Sequence, residues 1–151
     1  MALELDIASL ANALQEAAAV EILPRFRNLG EGDVRMKTEA IDLVTEADEA
    51  AERLIRARVQ DIMPDALFIA PHAPQPHDGA PYGRQWFSLS DRTPVNRLAG
   101  VRLAQPVLDG AITAECAAAN LPESAVVLMG FSQGAMTALY TGLRRAVEPA
   151  G

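Results

Sequence analysis

The chain has 151 residues and a formal net charge of -7; half of its residues are hydrophobic and 22% are charged. That balance excludes a disordered chain and fits one folded domain with a substantial core. The acidic charge argues against nucleic acid or an anionic membrane surface as partner, because both attract basic proteins.

A single cysteine, Cys116, excludes an internal disulfide and fits a reducing cytoplasm, the compartment expected here. Glu4 and Asp6 near the start, with no basic region before an apolar run, do not read as a signal peptide. No apolar run approaches the roughly 18 residues that a membrane-spanning helix requires.

From Leu3 to about Leu23, the apolar positions Leu3, Ile7, Leu10, Leu14, Ala18 and Ile22 recur every three or four residues and predict an amphipathic helix. Pro24 ends it, and Gly30 and Gly32 mark a loop. Alternation at Val34, Met36 and Thr38, and again at Ile41 and Leu43, predicts two short extended pieces. Thr45 and Asp48 form a helix-start pair, and Ala47, Ala51, Leu54, Ile55, Val59 and Ile62 are the predicted buried face of the next helix. Pro64-Asp65 breaks it, and Ala66 to Ala70 reads as a short apolar strand.

Pro71 to Pro94 is rich in proline and glycine and reads as a long irregular connection around Gln85-Trp86-Phe87-Ser88-Leu89. A long helix is predicted from Pro94 to Ala119, with Leu98, Val101, Leu108 and Ile112 along one stripe and Cys116 as a small buried side chain. Leu121-Pro122 closes it.

The apolar run Ala125-Val126-Val127-Leu128-Met129 leads into Gly130-Phe131-Ser132-Gln133-Gly134, followed by a helical pattern from Ala135 to Arg145. A strand, a sharp turn and a helix with serine at the apex make a nucleophile elbow, which exposes the serine hydroxyl for attack on an acyl carbon. Such a serine needs a base. Nothing after Ser132 is His or Asp, only Glu148 supplies an acid, and both histidines, His72 and His77, lie upstream.

Three motifs in order carry a resemblance: Phe68-Ile69-Ala70-Pro71-His72-Ala73-Pro74, then Gly83-Arg84-Gln85-Trp86-Phe87-Ser88-Leu89, then Val127 to Gly134. Residues 66–145 resemble the bacterial carboxylesterase/phospholipase family of α/β-hydrolases. The resemblance implies Ser132 as nucleophile, the Gln133 backbone N–H as one oxyanion donor, and Trp86 and Phe87 on the substrate side. It implies a structural role for His72; His77 falls in the proline-rich loop and is expected to face solvent. The family order of Ser, then acid, then His is not met, and the loop carrying the second oxyanion donor has no counterpart.

Residues 5–69 are similar instead to the N-terminus of the inositol monophosphatase family, through Phe26-Arg27, Lys37 and Asp42-Leu43-Val44-Thr45-Glu46-Ala47-Asp48, with Glu52 on the helix after them. Ala70-Pro71-His72 stands where that family carries its paired metal-ligating glutamates, and Asp109-Gly110 does not match its later metal motif. Asp42, Glu46, Asp48 and Glu52 then read as capping and solvated charges, with no metal site.

The expected architecture is α/β: an N-terminal helical segment over residues 1–65 and a partial α/β-hydrolase core over 66–151, with parallel strands. The expected function is a carboxylic ester hydrolase by ancestry, acting on a small acyl ester without a cofactor and impaired by its incomplete catalytic set. A non-enzymatic chimera of the two families, or a magnesium-dependent phosphatase fragment, are the alternatives. A sheet edge left without its neighbour would favour self-association.

Overall fold

The computed structural model describes residues 6–24, 37–79 and 83–151, with only the backbone given for 37–48. The chain divides into two compact units between Ala70 and Pro71.

In the first unit, Asp6 caps helix α1 (Ile7–Ala17), its carboxylate accepting from the Ser9 N–H at 3.0 Å. The helix runs on into a π-helical stretch, Ala18–Ile22. Leu10, Ala13 and Ala17 are buried, whereas Ile7, expected on the inner stripe, is 58% exposed. Helix α2 spans Lys37–Ile62, so the two extended pieces expected at 38–44 and the helix start at Thr45 are replaced by continuous helix. Lys, Glu, Ala and Leu in 37–43 favour helix, and Ile41 and Val44 extend the spacing of Ala51, Ile55 and Val59 just as well as they alternate. Val34, Met36, Gly30 and Gly32 lie outside the described residues.

Ala51 and Val59 are buried on α2, and Arg58 grips Glu16 of α1 with two hydrogen bonds of 2.7 and 2.8 Å. Both side chains are about 40% exposed, 43% for Arg58 and 40% for Glu16, so this pair orients α1 on α2 more than it stabilises them. The Arg58 guanidinium holds the Glu16 carboxyl below its usual range. Residues 66–70 form no strand; Leu67 is 60% exposed, and the Arg56 guanidinium lies 5.9 Å from the Phe68 ring. An apolar segment becomes a strand only when a neighbour pairs with it, and none does among the described residues.

In the second unit, the irregular connection contains a two-residue antiparallel pairing of β1 (Gln75–Pro76) with β2 (Arg84–Gln85). Helix α3 spans Pro94–Ala119 as expected, with Thr93 as cap, Pro94 in the first turn, and Asn120 ending it at φ 54°. Its buried stripe is Gly100, Val101, Ala104, Leu108, Ile112 and Cys116. Leu98, expected there, is 42% exposed.

The segment expected as a parallel strand at 125–129 begins as a 3-10 turn, Glu123–Ala125, and then runs extended. Its backbone partners are C-terminal: Leu128 N–H donates to Gly151 O at 2.8 Å, and Ala150 N–H to Val126 O at 2.8 Å. No parallel strand pair occurs among the described residues. Helix α4 (Gln133–Gly142) packs Thr137, Ala138 and Thr141 inward.

The core of this unit is built around α3. Phe87 packs with Val101 and Ala104 in one cluster, and Leu108, Ile112 and Cys116 form a second; Trp86 packs against both. A Cβ at Gly100 would lie 2.4 Å from the Phe87 ring, so the glycine makes the seat for Phe87. Gly100→Ala should therefore destabilise the unit by roughly 1–3 kcal/mol despite alanine's better helix propensity. Denaturation followed through Trp86 fluorescence measures this, and an unchanged midpoint would contradict the Phe87 seat.

Arg145 has a side chain only 3% exposed and bridges Asp109 and Glu123, the latter at 2.9 Å. The Thr113 hydroxyl, then Arg145, hold the Glu123 carboxyl below its ordinary 4.5. A carboxyl lowered on folding contributes stability that is present above its unfolded value and lost as pH falls through the folded one. The second unit should weaken as pH drops below about 4.5, and Glu123→Gln should flatten part of that slope in pH-dependent melting.

Candidate active site

The chain between Met129 and Gln133 turns from extended backbone into α4 within a few residues. Gly130 makes that turn possible. A Cβ there would meet the Gly134 carbonyl carbon at 2.5 Å and the Ala135 nitrogen at 2.6 Å, backbone atoms that cannot rotate away. Gly134, expected from sequence to serve the same purpose, would carry a Cβ into open space, with nothing within 4 Å.

The cost of the crossing falls on Ser132, with φ 52° and ψ -118°, outside the regions favoured by L-residues. Gly134 N–H closes the turn onto Phe131 O at 2.9 Å, and Met136 N–H reaches Ser132 O at 3.2 Å. Ser132 is exposed, its side chain makes no capping bond, and no described residue is hydrogen-bonded to its hydroxyl. The next N–H, of Gln133, opens α4 and belongs to the amides at a helix start that no intrahelical carbonyl can take. An exposed oxygen beside such amides suits nucleophilic attack with the developing oxyanion held by backbone donors.

Sequence reasoning missed what the Gln133 side chain does. Its Oε1 accepts from the Trp86 N–H at 3.0 Å and its Nε2 donates to Phe87 O at 2.8 Å, across separations of 47 and 46 residues. No local signal encodes a pairing at that distance. The four predicted site residues, Trp86, Phe87, Ser132 and Gln133, are thus brought together. Within that group, Phe87 is 1% exposed and held in the core, whereas Trp86 is half-buried.

Both histidines are exposed and neither is bonded to Ser132. His77 Nδ1 accepts from Gly79 N–H at 3.0 Å, and the Ser88 hydroxyl, foremost, holds the neighbouring Asp78 carboxyl below its usual range. Arg84 donates to the carbonyls of Ala73 and Pro74, fastening this loop. No group of three or more His, Cys, Asp or Glu among the described residues could hold a metal ion. The side chains of Lys37, Asp42, Glu46 and Asp48, and all of Phe26-Arg27, fall outside the described residues, and Glu52 is exposed.

A match to the phospholipase/carboxylesterase family model covers residues 46–151 and includes the elbow. The chain belongs to that family. Membership implies the α/β-hydrolase fold, of which the described residues show the elbow, the helices and a two-stranded sheet. The esterase YpfH of Escherichia coli (strain K12) is 36% identical over 78 residues, 52% of this chain and 33% of that protein. The chain thus aligns with about a third of the length of this curated relative. No solved structure matches. No helix among the described residues is long and apolar enough to cross a membrane.

The two elbow glycines should separate cleanly on mutation. Gly130→Ala should cost about 3 kcal/mol or more, since backbone has to move. Gly134→Ala should be neutral or raise stability by up to about 1 kcal/mol through helix propensity. Chemical denaturation of both variants checks the pair, and equal losses would contradict the crossing described.

Proposed function

We propose that the chain is a carboxylic ester hydrolase of impaired turnover, in which Ser132 attacks the acyl carbon of a small ester. The observation that carries this reading is the exposed serine held at φ 52° on the start of α4. In the step proposed, Ser132 Oγ bonds to the carbonyl carbon and its proton passes to solvent. The Gln133 N–H binds the oxyanion, and the alcohol leaves as the acyl-enzyme forms. Half-buried Trp86 faces the acyl group, and Phe87 anchors that segment in the core. No cofactor enters the step.

The rate should be low. With no downstream His or Asp to relay the proton, acylation loses roughly four to six orders of magnitude relative to a complete triad. Fluorophosphonate labelling tests the reading: slow covalent modification is expected, confined to Ser132 by peptide mapping and abolished in Ser132→Ala. Absence of any adduct would sink it.

A second reading, a non-enzymatic scaffold, is favoured by the same hydroxyl having no bonded partner among the described residues. Under it the chain joins two families, an inositol-monophosphatase-like segment and the hydrolase segment, meeting near Pro64–Ile69. Its support is the motif Asp42 to Asp48 and the division into units after Ala70, while the hydrolase match begins earlier, at residue 46. Self-association of the cytoplasmic protein through the segment Leu67–Ile69 is supported by the exposure of both side chains, 60% and 40%.

A further inference from the structure

We infer that Gln133 is a positioning residue whose carboxamide, bridging Trp86 and Phe87, sets the conformation and reactivity of the Ser132 elbow. The inference rests on the reading of Ser132 as a nucleophile, but concerns a group that touches neither ester nor attacking oxygen.

The bridge is reciprocal. Oε1 accepts the Trp86 N–H at 3.0 Å while Nε2 donates to Phe87 O at 2.8 Å. A primary amide here does what a neighbouring strand's peptide group does in a ladder, with one acceptor and one donor offered to the same segment. Both contacts are part-buried, so a lost partner would leave a polar group poorly compensated.

The two ends of the bridge are held very differently. On one side, Phe87 is seated against Gly100 and 1% exposed, so the 86–87 backbone is fixed to α3. On the other, Gln133 directly succeeds the strained Ser132 and opens α4. A residue at φ 52° persists only where its surroundings over-determine it. Gly130 removes the steric obstacle to that conformation but supplies no attraction toward it. The Gln133 bridge supplies one, tying the residue after the serine to a rigid segment. It also fixes the peptide plane that carries the Gln133 N–H. Without the bridge, Ser132 can relax toward an ordinary helix start and turn that N–H away from the oxyanion position.

Two substitutions and two readouts test this. Gln133→Met keeps the length of the side chain and removes both hydrogen bonds. Gln133→Glu keeps the acceptor for Trp86 but presents a carboxylate to Phe87 O; once protonated, it regains a donor. Trp86, the chain's one tryptophan, reports on the bridge by its emission, and fluorophosphonate incorporation reports on Ser132.

Gln133→Met should label about tenfold or more slowly than wild type, the size expected for loss of one or two modest hydrogen bonds, with a shifted Trp86 emission. The labelling rate of Gln133→Glu relative to wild type at the same pH should rise as pH falls below about 5, where a carboxyl protonates, and its emission should return toward wild type. A merely packed glutamine would give no such acid rescue. Wild-type labelling rates in both variants, or a pH-independent ratio for Gln133→Glu, would overturn the inference. If wild type takes up no label, the esterase reading fails separately, and the emission decides the bridge. Acid recovery in Gln133→Glu then upholds it, and a pH-independent spectrum overturns it.

Discussion

The second unit depends on one close approach: the backbone of Gly130 lies against that of Gly134 and Ala135, at distances where no Cβ fits. That contact lets extended chain pass into α4 within a single sharp turn. It also constrains the next few residues. Ser132 must take a positive φ, α4 must start at Gln133, and the Gln133 side chain reaches the 86–87 backbone. Through Phe87, the same chain of contacts continues to Gly100 and α3. Elbow and core are therefore one packing problem.

The far end of α4 is tied down by charge. Arg145 is nearly excluded from solvent and holds Asp109 of α3 and Glu123 of the 3-10 turn, whose carboxylate also accepts from the Thr113 hydroxyl at 2.7 Å. Taking a guanidinium out of water is costly, and two carboxylates offset that cost only with good geometry. The cluster is thus better read as fixing position than as adding stability. It brings together the beginning of the extended segment, the middle of α3 and the end of α4. With the Gln133 bridge at the other end, α4 is held at both termini while its middle packs through small residues, Thr137, Ala138 and Thr141.

The range of each interaction decided whether it could be read from the sequence. Helix α3 was legible at both ends because Thr93, Pro94 and Asn120 act locally on a few backbone groups. The elbow was legible for the same reason, as five adjacent residues carry it, and Cys116 fell in the core as its apolar surroundings required. Strands were misjudged at 66–70 and 125–129 because a strand is a relation between two segments. The apolar character of each could be seen, but not whether a partner lies beside it. At 38–44, two short alternations were outweighed by a longer helical stripe. The Gln133–Trp86 bridge and the Arg145–Asp109 pair were invisible, joining residues 47 and 36 apart, with nothing in either sequence neighbourhood pointing to the other.

The identity of residue 132 bears on what the elbow is for. A strand-to-helix crossing needs a positive φ, and glycine meets that need without the penalty of roughly 1–3 kcal/mol that another residue incurs. Serine bears that penalty here, and its hydroxyl caps nothing and is bonded to no described residue. The hydroxyl therefore returns nothing to the fold in compensation. What it gains from the conformation is exposure at a helix start beside a backbone donor, a geometry useful for reaction with an acyl carbon. The strain is thus the strongest physical argument for the nucleophile, as the unmatched histidines are the strongest against rapid turnover. The two are compatible in a serine that reacts slowly. They limit the protein to stoichiometric or sluggish acyl chemistry unless a base reaches Ser132.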